Sequence, residues 1–291
     1  MSVQTVLFAP ATRPDLVEKL SRSAPDVGVI DLEDAVPAAL KSSVRTSLPR
    51  LAARARAVDP GRLRLFVRVN GPRTPWFGDD LKAVADSGFD GIVVPKMQQA
   101  DDLAQVPDVD VIAGIETAVG VWHVDDVLGH AQIVAAYFGA EDFATDIGAE
   151  RTEDGREVLY ARSRVVLSCR VRGVVPIDQA VLNITDDASF LADATVGRSL
   201  GYEGKLCIHP RQVALVRTAF APSNEAVARA RAITAAYAQA SAGGAGIAVV
   251  DGRMIDLPLV ERARAVLRSA QTGSDPDQLG DDLPVVGGAT E

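Results

Sequence analysis

Apolar residues in this chain gather into short, near-continuous runs rich in Val and Ile. Five of these runs end at charged or polar residues: VGVIDLED (27–34), LFVRVN (65–70), GIVVPK (91–96), VIAGIE (111–116) and IVAAYFGAED (133–142). Runs of this kind suit strands of a parallel sheet that is covered on both faces. Three further runs, at 6–10, 174–178 and 204–209, bring the strand-like segments before residue 210 to eight. Between most of them apolar residues recur at helical spacing, over 14–22, 38–57, 79–87, 162–172 and 188–200. Thr185, Asp186 and Asp187 offer capping side chains before the last of these. Eight alternating units predict an α/β fold closed into a (β/α)8 barrel rather than an open doubly wound sheet. An open sheet doing dinucleotide work needs a Gly-rich turn after its first strand, and FAPATRPD has none.

The pattern changes after the eighth unit. Residues 1–222 are expected to form the barrel and 223–270 a C-terminal helix-strand cap segment. Within the cap, 224–242 reads as an Ala-rich helix, 243–246 as a Gly-rich joint, 247–256 as a strand and turn, and 259–270 as an amphipathic helix. Residues 271–291 carry little to bury and are expected to be a disordered tail.

Composition narrows the function. A net charge of −9 argues against nucleic acid as a partner. No run reaches the roughly 18 apolar residues of a membrane span. Cys169 and Cys207 form no C-x-x-C pair, and the first ten residues lack the features of a secretory signal. A cytoplasmic protein without structural disulfides is the expectation. Neither a G-x-S-x-G elbow nor a P-loop is present.

A charge within a buried strand is costly, whereas one at its tip can meet water, metal or substrate. Asp31, Glu33, Asp34, Arg68, Lys96, Glu116 and Asp142 therefore read as the rim of one site. Glu116 and Asp142 each close an apolar run, and an oxygen-rich, His-poor pair suits Mg2+ or a similar hard cation such as Mn2+. Two helix-capping carboxylates are the competing reading. Arg68 needs a partner, either a substrate carboxylate or an internal acid such as Glu33. Alternation sends Asp31 and Glu33 to one side, where either can orient Arg68. Lys96 can neutralise an enolate or simply pair with the acids. His123 and His130 read as surface residues. His209 is open between a ligand contact and a turn before Pro210.

Taken in order, PATRPD, DLEDAV, FVRVNG, VVPK, GIETAVGV, FGAEDFATDIG and GKLCIHPRQV resemble the citrate lyase β-subunit family, with the malyl-CoA and citramalyl-CoA lyases of the HpcH/HpaI aldolase superfamily. The resemblance covers roughly residues 5–220. It implies a TIM barrel that uses Mg2+ to make or break a C–C bond between an acyl-CoA thioester and a small 2-oxo acid. It assigns Glu116 and Asp142 to the metal and Arg68 to the oxo acid. Glu33 and Asp34 would bridge to metal-bound water or Arg68. The backbone of Gly139, Ala140 and Glu141 would meet the substrate carboxylate, and Arg13, Lys19 and Lys41 the CoA phosphates. VVDGRMIDLP (249–258) resembles the cap of the malyl-CoA and citramalyl-CoA lyases, which makes Asp256 the candidate acid–base, acting in a neighbouring subunit of a homotrimer or homohexamer. The same site can serve a thioesterase if Asp256 activates water. Two other readings stand beside the lyase: a class II aldolase acting on free hydroxy-oxo acids, and a non-catalytic acyl-CoA-binding subunit of a larger complex.

Overall fold

The computed structural model describes residues 3–57, 63–85 and 87–272, which fall into two compact units, one ending at Phe220 and the other beginning at Ala221. In the first unit eight parallel strands follow one another around a closed barrel: β1 (Thr5–Pro10), β2 (Val27–Asp31), β3 (Arg64–Arg68), β4 (Gly91–Val94), β5 (Asp110–Ile115), β6 (Ile133–Phe138), β7 (Val175–Asp178) and β8 (Gly204–Cys207). Closure runs through Thr5 opposite Lys205, Val6 opposite Leu206 and Leu7 opposite Cys207. The barrel expected from the apolar runs is present.

Side chains of a strand alternate between its faces, so each strand serves two cores. One parity fills the barrel interior, with Val29, Phe66, Val93, Ile112, Tyr137 and Leu206 among its members. The other parity packs outward: Leu7, Ile30, Val67, Ile92 and Phe138 join Leu48, Val84 and Val165 of the surrounding helices. Extending the inward parity to the C-terminal strand ends gives Asp31 after Val29, Arg68 after Phe66, and Glu116 four residues after Ile112. That arithmetic places charge at the barrel mouth.

The strands stop sooner than the apolar runs do. β2 ends at Asp31, β3 at Arg68, β4 at Val94 and β8 at Cys207, so Glu33, Asn70, Lys96 and His209 lie in the loops beyond. Asn70 shows why: its backbone N–H donates to the Asp80 carboxylate at 2.8 Å rather than to a neighbouring strand. Asp142 does not close a strand at all. β6 ends at Phe138, and Asp142 lies in the first turn of the helix Ala140–Asp146. The predicted helix over 38–57 opens as a 3-10 turn, Ala38–Leu40, before the helix Lys41–Arg56.

Charge also sits inside the strands, against expectation. Asp178 and Lys205 are fully buried on the outward parity of β7 and β8. Arg162 grips Asp178 with two hydrogen bonds of 2.8 and 2.5 Å, Lys205 Nζ lies 2.9 Å from Asp178, and Asp193 pairs with both cations. Two positive and two negative groups offset one another, which lets the strands carry them.

The second unit consists of the helix Asn224–Ala242, a hairpin of β9 (Ala248–Val250) and β10 (Arg253–Ile255), and the helix Leu257–Thr272. Ile233, Ile255, Val260 and Ala263 form its core. Asp251 and Gly252 turn the hairpin with φ of +50° and +71°, the positive pair that an Asp-Gly loop supplies to antiparallel strands. The expected tail falls, from residue 273 onward, outside the described residues. Among the described residues no helix is long and apolar enough to cross a membrane.

Candidate active site

At the C-terminal mouth of the barrel lies a cavity of about 330 Å3. Asp31, Asp34, Arg68, Glu116, Tyr137, Gly139, Ala140, Glu141 and Asp142 form one part of its wall, and Phe8, Ala180, Leu182, Leu206 and Ile208 an apolar part. Strands β1, β2, β3, β5, β6, β7 and β8, or the segments just past them, each contribute. Residues far apart in sequence thus converge because every parallel strand ends on the same rim.

Arg68 is fixed from below. Its Nε and Nη2 each donate to Asp31 at 2.7 Å, and Nη1 lies 3.0 Å from Glu33 Oε2. The guanidinium also stands 5.0 Å from the Phe8 ring centroid, over its face. Burial alone would weaken its charge, but Asp31 and Glu33 reverse this and hold its pKa above the ordinary value. The two alternatives left open for Arg68 are therefore compatible. Internal acids orient it, and the residue still lines the cavity.

Glu116 follows β5 and is 2% exposed. Its Oε1 accepts from the Lys96 backbone N–H at 2.8 Å and from the Tyr137 hydroxyl at 3.2 Å. Oε2 accepts no hydrogen bond among the described residues. Gly139 makes room for it: a Cβ there would come within 2.2 Å of Oε2. Burial, with Glu33 and Asp142 nearby, pushes the Glu116 pKa up to about 8. Burial and the Glu116 charge likewise raise Tyr137 well above its usual value, so it stays a phenol and a donor.

Lys96 joins the acids. Its Nζ lies 2.7 Å from Glu33, 3.0 Å from Asp34 and 3.4 Å from Asp142. Burial raises the Glu33 pKa, and its Oε2 has only the Coulombic contact with Arg68, without an aligned hydrogen bond. Asp31, Glu33, Asp34, Glu116 and Asp142 outnumber Arg68 and Lys96 around the mouth. A Glu116 oxygen that accepts no hydrogen bond, a pKa raised first by burial and then by Glu33 and Asp142, and a second carboxylate on the same wall fit a hard divalent cation. Among the described residues no group of three or more His, Cys, Asp or Glu converges on a metal position. The protein offers a two-carboxylate set, as Mg2+ sites often do.

Other candidates fall elsewhere. Lys41 is buried, and its ammonium donates to the Leu32 and Glu33 carbonyls at 2.9 and 3.0 Å and to Asn70 Oδ1 at 2.5 Å. All three of its protons are engaged. The expectation that it meets a CoA phosphate is corrected: Lys41 ties down the loop that carries Glu33. Arg13 is exposed and paired with Asp15 at 2.7 Å, Lys19 is exposed, and neither lines the cavity. Glu141 lines the cavity and pairs with Arg151. His209 forms a turn, its Nδ1 accepting from the Arg211 N–H, while Ile208 faces the cavity. His123 is half-exposed, as expected of a surface residue. Asp256 belongs to the second unit, where it caps the helix Leu257–Thr272: its carbonyl accepts from Leu259 and Val260, and its Oδ1 lies 3.4 Å from the Leu259 N–H.

Sequence reasoning passed over Tyr137 and Phe8. Strand parity could have found both, since each continues an inward series toward the mouth.

Residues 4–210 match the profile of the HpcH/HpaI aldolase/citrate lyase family. A citrate lyase subunit beta-like protein of Deinococcus radiodurans is 44% identical over 281 residues, covering 91% of this chain and 96% of that protein. An L-malyl-CoA/beta-methylmalyl-CoA lyase of Cereibacter sphaeroides is 35% identical over 300 residues, covering 91% of this chain and 93% of that one. The crystal structure of CitE from Mycobacterium tuberculosis in complex with magnesium, acetoacetate and coenzyme A superposes with a TM-score of 0.82 at 32% identity, over 93% of this chain and 98% of that one.

Proposed function

This carbon–carbon lyase belongs to the HpcH/HpaI aldolase/citrate lyase family, and we propose that it makes or breaks the bond between acetyl- or propionyl-CoA and a 2-oxo acid, on thioesters of the malyl-CoA, citramalyl-CoA or methylmalyl-CoA type. One observation carries the reading. Glu116 with its bare Oε2, Asp142 and the clamped Arg68 share the wall of one cavity that is also lined by Phe8, Leu182, Leu206 and Ile208. The relatives named for malyl-CoA and the neighbour holding magnesium and coenzyme A support it.

Glu116 and Asp142 are the residues to hold Mg2+, which, when bound, supplies Lewis acidity toward the oxygens of the 2-oxo acid. Cleavage of a 3-hydroxyacyl-CoA breaks the bond between the thioester α-carbon and the carbinol carbon. The hydroxyl proton leaves, a carbonyl forms, and the α-carbon takes up a proton. Arg68, pre-aimed by Asp31 and Glu33, holds the anionic oxo acid through that change without having to reorganise. The N–H groups of Ala140 and Glu141, first in the helix Ala140–Asp146, have no acceptor within the helix and suit a substrate carboxylate, whereas the Gly139 N–H already donates to the Ile115 carbonyl at 3.1 Å. Leu182, Leu206 and Ile208 offer the acyl chain an apolar wall. Asp256 is the proposed acid–base, giving a proton to the α-carbon in cleavage and taking it in condensation, delivered by another copy in a homotrimer or homohexamer. The resemblance of VVDGRMIDLP is the support for that assignment.

A coupled assay for glyoxylate or pyruvate release from these thioesters, with EDTA and after Mg2+ is restored, tests the proposal. Turnover that EDTA abolishes and Mg2+ restores supports it. Equal turnover of the free hydroxy acid would favour the class II aldolase instead, and no turnover of any thioester would favour a non-catalytic subunit.

A further inference from the structure

Lys96 is doubly unusual. Its backbone adopts φ +53°, a left-handed conformation uncommon for a residue with a Cβ. This geometry is held at both ends by the site itself. The backbone N–H reaches Glu116 Oε1 at 2.8 Å, while the ammonium spans Glu33, Asp34 and Asp142. One residue thus touches both proposed cation ligands: Glu116 through the main chain, Asp142 through the side chain.

We propose that the Lys96 ammonium is the internal counter-ion of this cavity and limits how tightly Glu116 and Asp142 retain a divalent cation. The inference rests on reading those two residues as the cation site. In the absence of a cation, five carboxylates crowd the mouth, and the ammonium keeps three of them from repelling one another. Once a divalent ion joins Glu116 and Asp142, the same ammonium, 3.4 Å from Asp142 Oδ1, becomes a like charge at short range. It supports the acids when the cation is absent and opposes the cation when it arrives. Arg68 does not share the role, because Asp31 and Glu33 engage its Nε, Nη1 and Nη2.

The test uses Mn2+ binding, followed by electron paramagnetic resonance and calorimetry, on the full chain. Lys96→Met keeps the stem and removes the charge. Lys96→Gly removes the charge and accepts the positive φ without strain, so it covers the case in which the Met variant fails to fold. Both should bind Mn2+ about 5-fold more tightly than wild type. Both should also melt lower without metal and gain more from saturating Mn2+ than wild type does. Lys96→Arg, which keeps the charge, should bind within about 2-fold of wild type. A merely structural role would weaken binding in every variant. Equal or weaker Mn2+ binding by Met and Gly overturns the counter-ion role while leaving the cation site intact. Wild type that binds no Mn2+ overturns the cation site and the inference together, and that outcome is read before any variant is made.

Discussion

Glu116 is the residue on which the proposed chemistry turns, because its two oxygens have different surroundings. Oε1 is committed to Lys96 and Tyr137, and Oε2 faces the space that Gly139 leaves. Glu116→Gln and Asp142→Asn should each lower thioester cleavage by roughly 100-fold or more, with circular dichroism and melting temperature close to wild type. Full activity in either variant would contradict the assignment. Gly139→Ala should be nearly as damaging, about 100-fold in turnover, because its new methyl must displace Oε2; an unaffected rate would mean that Oε2 has no part in the reaction. The acids, Arg68 and Lys96 were legible in the sequence because each stands where an apolar run gives out. Their pairings were not. Whether Arg68 meets Asp31, Glu33 or a ligand depends on contacts 37 and 35 positions apart in the chain, and only the register of β2 against β3, with Asp31 opposite Arg68, decides it. Lys41 illustrates the limit: as a lone basic residue near the mouth it reads as a phosphate ligand, and only its three buried acceptors show otherwise.

At the scale of elements, the apolar runs marked all eight barrel strands, since strands buried on both faces show neither alternation nor interruption. Their ends were less legible, because VRVN and VVPK stay apolar or tightly packed past the last ladder bond. The Arg162–Asp178–Asp193–Lys205 network was invisible, as nothing local says that IDQ and GKLC will supply each other's counter-charges. Its energetics are testable. Asp178→Asn leaves Arg162 and Lys205 buried with too little negative charge and should cost about 3–5 kcal/mol in urea unfolding. A loss near zero would mean that the network carries no stability. Asp193 adds a pH dependence. Burial alone would raise its pKa, yet Lys205 and Arg162 outweigh burial and hold it below the ordinary value. A carboxyl depressed in the folded state stabilises above its unfolded pKa of about 3.9 and loses that contribution as pH falls through the folded value. The melting temperature of Asp193→Asn should therefore lie below wild type at pH 7, with the gap closing below about pH 4. A gap independent of pH would contradict the assignment.

For the whole molecule, the barrel brings five carboxylates, an arginine and a lysine to one mouth, from strand ends, the loops past them and the helix after β6, while Asp256 belongs to the second unit, between β10 and the helix Leu257–Thr272. Convergence of strand ends follows from a closed parallel barrel, so its position was legible once eight units were counted. The proposed action of Asp256 in a neighbouring copy rests only on resemblance, since an N-cap and an acid–base look alike in sequence. Asp256→Asn separates the two. Asn caps a helix about as well as Asp, so the fold should persist, while the loss of an acid–base should slow turnover by roughly 100- to 10,000-fold. Unfolding without a catalytic defect in the folded fraction would make Asp256 structural. The central claim is that Glu116 and Asp142 together hold one divalent cation beside the 2-oxo acid. Anomalous diffraction from crystals grown with Mn2+ and pyruvate tests it most directly. One manganese peak bound by both carboxylates, with pyruvate against it and toward Arg68, is the predicted result; a peak that involves neither residue, or pyruvate bound in this cavity with no metal beside it, would contradict the account.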